Sequence, residues 1–460
     1  MSFFKHGHIL LLFLFVFLTL ARVRTNPIAF LNNRDPSHLV GELPWESGVE
    51  PLKTTFAGTF PLRNWTVKEE NVEAGMFYWY FPAQKPLVAE PPLIIWLQGG
   101  PGSSSMIGLF YEMGPIGVTK QRKLFRRPVT WNTHYSMVFI DQPVGTGYSY
   151  ISPTYDQTHS YEGYTKSVEE AAEDFMIFLN RFYEKYPEQR QRDLYISGES
   201  YAGKYVPAFA TAIHQYNSKV NTASEKIKLT GVAIGNGLTH PIVQIQHHAD
   251  QALQFGIVSV QQSEEIRRLA QEAVKYTQAG NWSAATDTRV QLFDYTKSSA
   301  GELNFYDLRT DIQNDWSWMD QLLNEDSVKK ALNVYPRKFD LRSQDVRVSM
   351  KLDIMKSVQH LIPTLLENYK VLLYQGQFDY RDGIPGNTEW IRSLNWTGQS
   401  GFLQAERKVW KVDGHVAGYV THHDNLTRVE VSRAGHMVPM NAPIPAWEMI
   451  SKFIENNQFS

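Results

Sequence analysis

Cysteine is absent from all 460 residues, so no disulfide contributes to stability, and on that ground alone the chain reads as a cytosolic protein. Charge imbalance is absent too. The 45 Lys and Arg against 47 Asp and Glu leave a net of −2, which supplies no basic field for nucleic acid and implies no partner class. Internal repeats and low-complexity linkers are missing, which favours one interrupted domain over a string of small ones. The N-terminal apolar run, Ile9 to Leu20, has twelve residues, short of the roughly 20 that span a bilayer. It follows Lys5 and ends in Thr19-Leu20-Ala21, small residues spaced for signal-peptidase cleavage. This predicts a cleaved signal within residues 1–25, no membrane anchor, and a secretory-pathway protein, secreted or lysosomal, against the hint from cysteine. Four Asn-x-Ser/Thr sequons, at Asn64, Asn281, Asn395 and Asn425, agree with that route.

What is present begins with Gly198-Glu199-Ser200-Tyr201-Ala202-Gly203 after the apolar run Leu194-Tyr195-Ile196. A strand that feeds a sharp turn with serine at its apex is a nucleophile elbow, and it needs small residues two places either side of the serine. Gly198 and Ala202 meet that need, with alanine where the general pattern has glycine. An α/β-hydrolase then requires an acid after a late strand and a histidine on a loop near the C-terminus. Val371-Leu372-Leu373-Tyr374 reads as a strand buried on both faces and leads to Asp379; Val429-Glu430-Val431 precedes a Gly- and Pro-bounded loop carrying His436. Ser200, Asp379 and His436 are therefore the expected catalytic residues. The run Pro92 to Leu97 ends in Gln98-Gly99-Gly100-Pro101-Gly102, whose glycines let backbone N–H groups approach a substrate oxygen. Gly100 and Tyr201 are the expected oxyanion-hole donors. A phosphate cradle is excluded, because no Lys-Ser or Lys-Thr follows at P-loop spacing.

Other clusters carry less. His247-His248 and His422-His423-Asp424 lack metal-ligand spacing and read as exposed pairs, so no metal is expected. Glu169-Glu170 and Glu173-Asp174 fall on the polar face of a predicted helix over Ser167 to Tyr183 whose Val168, Ala171, Ala172, Phe175, Phe178, Leu179 and Phe182 form one apolar stripe. Trp316 and Trp318 are weighed as either pocket lining or packing. Strands read at Phe77 to Phe81, Leu93 to Leu97, Met137 to Ile140, Leu194 to Ile196, Gly231 to Ile234 and Val371 to Tyr374. Their alternation with helices predicts a mostly parallel sheet covered on both faces, an α/β-hydrolase fold. After Gly235-Asn236-Gly237 the strand rhythm lapses, and Ser259 with Gln262 opens a helix that runs to Gly280. The expected division is 26–236 for the first part of the core, 237–360 for a helical cap insertion and 361–460 for the second part.

Four blocks now resemble a known family. Trp96 to Gly102, Asp141 to Ser149, Gly198 to Pro207 and Gly435-His436-Met437-Val438-Pro439 look like the signature blocks of serine carboxypeptidases, in order and across most of the mature chain. Phe81-Pro82-Ala83-Gln84, Gln98 and Lys204 look most like the vitellogenic-like branch. The resemblance implies a cofactor-free exopeptidase, best in acid, acting on peptide or protein C-termini, in which Gln98, Gly99 and Glu199, the last hydrogen-bonded to Glu112, hold the free carboxylate. Most members carry Asn at the place of Gln98 and a cysteine at the place of Ser103, and the family's disulfides cannot form here. An acyltransferase or esterase of the same fold, a non-catalytic chaperone or binding protein retaining it, and a homodimer stay open on the sequence.

Overall fold

The structure is a computed structural model describing residues 36–67, 70–152 and 163–459; the expected signal segment lies outside them. Its frame is one eleven-stranded mixed sheet. In chain order the strands are β1 (Phe56–Val67), β2 (Glu70–Phe81), β3 (Leu93–Leu97), β4 (Ile116–Val118), β5 (Leu124–Arg126), β6 (Ser136–Asp141), β7 (Tyr150–Ile151), β8 (Leu194–Glu199), β9 (Leu229–Gly235), β10 (Lys370–Gly376), β11 (Lys408–Val412), β12 (His415–His423) and β13 (Leu426–Val431). The main sheet runs β1-β2-β6-β3-β8-β9-β10-β13-β12-β11, with β7 on β2, while β4 and β5 pair separately. From β6 to β13 every neighbouring pair is parallel.

The parallel centre follows from the apolar runs. All five residues of β3 and all six of β6 and β8 are buried, as strands covered by helices on both faces must be. Because these strands run the same way, their C-terminal ends line one edge. There Leu97 pairs with Gly198, Glu199 with Gly235, and Gly376 with Val431, so the loops after β3, β8, β9, β10 and β13 emerge side by side. Sequence reading missed β1, the opening of β2 and the β11–β12 pair. These antiparallel strands at the two ends of the sheet mix Arg63, Asn64, Lys408 and His415 into their alternation, and Pro61 sits at a register shift.

The covering helix spans Val168–Lys185, capped by the Ser167 hydroxyl, and its whole predicted apolar stripe is buried. Each of Phe175, Phe178 and Phe182 removed from water contributes about 1.5–3 kcal/mol. Asp174 departs from the expected solvated face: it is buried, and Arg63 binds both its oxygens at 2.8 and 3.0 Å. Between β9 and β10 the described residues form only helices, turns and isolated bridges. Ser259 caps the helix Val260–Gln278 with the full reciprocal box to Gln262. Ser259→Ala is expected to lower unfolding free energy by about 1 kcal/mol, read by urea denaturation, with no change in turnover.

Candidate active site

Ser200 joins β8 to the helix Ala202–Lys219 with φ +64°, a left-handed conformation a serine adopts only when its surroundings enforce it. Its N–H donates to Gly235 O at 3.0 Å, and its carbonyl accepts from Gly203 N and Leu238 N at 2.9 Å each. A Cβ on Gly198 would lie 2.5 Å from Leu97 O and 2.7 Å from the Ala202 Cβ, which is why both flanking residues are small. The turn is thereby over-determined, and its side chain is aimed into a cleft.

His436 reaches the same cleft from the loop after β13. Its N–H donates to Tyr306 O at 2.6 Å, and Gly435 N donates to the Asn441 amide oxygen at 2.8 Å. Nδ1 lies 2.8 Å from Asp379 Oδ2; a carboxylate only accepts, so Nδ1 carries the proton and the lone pair sits on Nε2. Nε2 is buried and, among the described residues, has no hydrogen-bond partner, which leaves its lone pair free to accept a proton. Asp379, after β10, receives further donors: Asn236 Nδ2 at 2.7 Å, Arg381 N at 2.8 Å and Asp382 N at 3.3 Å. Burial by itself would lower the His436 pKa, but the Asp379 charge and hydrogen bond, with Asp382 beyond, raise it above the ordinary 6.5. Asn236 and Gln251, which holds the Asp379 carbonyl at 2.7 Å, were not found by sequence reasoning. The Gly235-Asn236-Gly237 turn was visible, but its proximity to Asp379 was not.

The loop after β3 packs on the elbow. A Cβ on Gly99 would lie 2.5 Å from Tyr201 N and 2.7 Å from the Ser200 Cβ, so only glycine fits. Gly100 follows at φ +117°. Among the described residues, the N–H groups of Gly100 and Tyr201 have no protein acceptor. The Tyr201 hydroxyl and Lys204 Nζ both bond Asp353, a buried ion pair tying the elbow helix to the segment between β9 and β10.

Two buried carboxyls complete the cleft wall. Glu199 ends β8, and Glu112 lies in the helical turn Gly108–Glu112. Trp96 Nε1 donates to Gln98 Oε1 at 2.9 Å, which fixes the amide so that Nε2 faces Glu199 Oε1 at 2.7 Å and Glu112 Oε1 at 3.4 Å. The two carboxyls share the Gln98 amide, and burial raises Glu112 to about 7 and Glu199 well above the ordinary range. The adjoining charge of Glu112 adds to the rise at Glu199. Gln98, Glu199, Ser200, Trp316 and His436 face a common cleft of about 500 Å³. Trp316 thus lines it, while Trp318 packs outside with Lys120 Nζ 5.4 Å from its ring.

The histidine pairs are elsewhere, and one expectation about them fails. His248 is buried rather than exposed, its ring nitrogens 3.1 Å from Gln244 O and 3.2 Å from Arg381 O so that its single N–H donates to one of them, and burial lowers its pKa to about 4. Among the described residues no group of three His, Asp or Glu converges on a metal-sized site.

A parallel sheet with serine on the turn after β8, and acid and histidine delivered beyond β10 and β13, defines an α/β-hydrolase. Within that class the chain belongs to the serine carboxypeptidase family: residues 65–456 match its family model, described as "Serine carboxypeptidase". It is 38% identical over 408 residues to the probable serine carboxypeptidase CPVL of Dictyostelium discoideum, covering 87% of this chain and 79% of that one. The human probable serine carboxypeptidase CPVL is 34% identical over 394 residues, covering 83% of this chain and 80% of that one. The crystal structure of Kex1(Δ)p, a prohormone-processing carboxypeptidase from Saccharomyces cerevisiae, superimposes with a TM-score of 0.81 at 26% identity, covering 92% of this chain and 96% of that one. The protein is a serine-type carboxypeptidase, a hydrolase of peptides.

Proposed function

We propose that it releases single residues from peptide C-termini through an acyl-enzyme on Ser200. Ser200 Oγ attacks the last peptide carbonyl and yields its proton to His436 Nε2, while Gly100 and Tyr201 N–H groups receive the oxyanion. His436 returns that proton to the departing amine nitrogen as the C–N bond breaks. Water then attacks the ester, its proton passing through His436 back to Ser200, and Asp379 keeps the imidazole oriented throughout. Gly99 and the Glu199–Glu112 pair, braced by Gln98, hold the substrate's free carboxylate.

The observation that carries this reading is the buried carboxyl pair, bridged by Gln98, beside Ser200. Two carboxyls in one dry site cannot both ionise cheaply, so in acid Glu199 keeps its proton and donates it to a carboxylate ligand. As pH climbs through about 7, where Glu112 titrates, negative charge enters the pair and repels that ligand. Arg127, His436 and Asp379 are the other charges acting on it. Peptide KM is therefore expected to be low in acid and to rise above neutrality, while esters lacking a free carboxylate escape that rise. Both substrates lose turnover in acid as His436 is protonated, so the peptide optimum lies on the acid side of the ester optimum. Amidating the peptide C-terminus is expected to lower kcat/KM more than tenfold, and Glu199→Gln, which always donates and never ionises, should flatten KM against pH. Equal rates on acid and amide would indicate an endopeptidase or general esterase. Efficient transfer from an ester donor to an alcohol would indicate an acyltransferase, and failure to label with an organophosphonate a binding protein.

The segment 237–360 acts as a cap over the cleft, since Trp316 and Arg342 line it from there. Acid-favoured binding, the N-terminal pattern and the sequons together support a secreted or lysosomal glycoprotein. Asn64, Asn281 and Asn395 are exposed; Asn425 is half-buried with its amide donating to Leu366 O at 2.9 Å, the poorest acceptor of the four.

A further inference from the structure

Two hollows meet at Ser200. The cleft containing Glu199 and His436 must take the departing residue, because the leaving amine receives its proton from His436 Nε2. The second, about 990 Å³, shares Ser200, Arg342 and Arg381 with the first but extends past Tyr201 to Arg289 and Arg347. On the proposed mechanism, the acyl half of the substrate lies there, headed by the residue next to the C-terminal one.

Four guanidiniums line this second hollow, and among the described residues none forms a salt bridge or donates a hydrogen bond to a protein acceptor. Arg289 is 8% exposed, and a cation so deeply buried is ordinarily paired. It rests instead on the Phe293 ring at 4.7 Å, with Arg381 over the same ring at 4.5 Å. The acid facing the hollow is Asp382, whose Oδ1 is buried without a donor and which acts on Arg289 by charge alone. Burial, then the like charge of Arg381, lowers Arg289 to about 10, which leaves it cationic at any pH where the enzyme works. Among the described residues that line it, four cations against one carboxylate make a site short of an anion. Exposed Arg342 and Arg347 stand where solvent reaches, and Arg289 lies in the buried part.

We propose that this hollow selects an acidic side chain at the penultimate position, so that the enzyme prefers peptides ending in Asp-Xaa or Glu-Xaa. An arriving carboxylate would meet preoriented, partly dehydrated guanidiniums, the setting in which charge-assisted hydrogen bonds are strongest.

The test is a peptide series identical except for Glu, Gln or Lys at the penultimate residue, assayed by release of the C-terminal residue. Expected kcat/KM for Glu exceeds Gln by roughly tenfold and Lys by on the order of a hundredfold, and salt narrows the difference. Arg289→Met should collapse the Glu-to-Lys ratio, and Arg342→Glu, at an exposed position that folding tolerates, should move it toward Lys. If Arg289→Met does not fold, Arg342→Glu decides. Equal rates for Glu, Gln and Lys in the unmodified enzyme, or an unchanged ratio in Arg342→Glu, overturn the pocket assignment while leaving the carboxypeptidase reading in place. Release of no C-terminal residue from any peptide overturns both.

Discussion

Ser200→Ala is expected to reduce peptide turnover by on the order of a million-fold, with an unchanged fold. The size follows from the triad acting as a unit: without Oγ no ester forms, and the lone pair on His436 Nε2 has no nucleophile to activate. The fold survives because Ser200 is held through its backbone, by Gly235, Gly203 and Leu238, and alanine keeps those bonds. Alanine at φ +64° is about as strained as serine, so the substitution neither relieves nor adds backbone strain. His436→Ala should match it in turnover. The measurements are single-turnover acylation, organophosphonate labelling and a thermal melt; substantial hydrolysis by pure Ser200→Ala protein would sink the mechanism.

Asp379→Asn should be the next most damaging change, by roughly ten-thousandfold in kcat, as expected when a triad acid loses control of the imidazole tautomer. Every neighbour of the Asp379 carboxyl is a donor: His436 Nδ1, Asn236 Nδ2, Arg381 N and Asp382 N. An asparagine must turn its NH2 toward one of these sets. If it faces His436, the ring proton moves to Nε2 and the base is lost; if it faces Arg381 N, two donors collide and the loop shifts. Either way kcat is expected to fall far more than KM, because the Glu112–Glu199 pair proposed to hold the substrate carboxylate is untouched. A fall confined to KM would show that Asp379 has no part in the chemistry.

The central strands were legible because burial on both faces leaves continuous apolar runs, as in β3 and β10, and the elbow was legible because its steric demands are local. Edge strands such as β1 and β11 were not, since one face meets water and their pattern blurs into that of loops. His248 and Asp174 were misread for a related reason. Each is polar, and its burial depends on partners far along the chain, Arg381 and Arg63, that no periodicity announces.

By itself, the sequence determined what is enforced within a few residues: small flanks for a strained serine, glycines where two turns collide, a capped helix from Ser259, and the order of serine, acid and histidine. The tertiary structure decided everything that depends on desolvation and convergence. Glu112 and Glu199 become a proton-holding pair because the fold buries them together behind Gln98. Arg289, Arg342, Arg347 and Arg381, unremarkable in sequence, come to line one hollow whose lining holds a single carboxylate, Asp382. A side chain's charge state and its worth to a ligand are set by the water removed around it, and that is fixed only when distant segments pack.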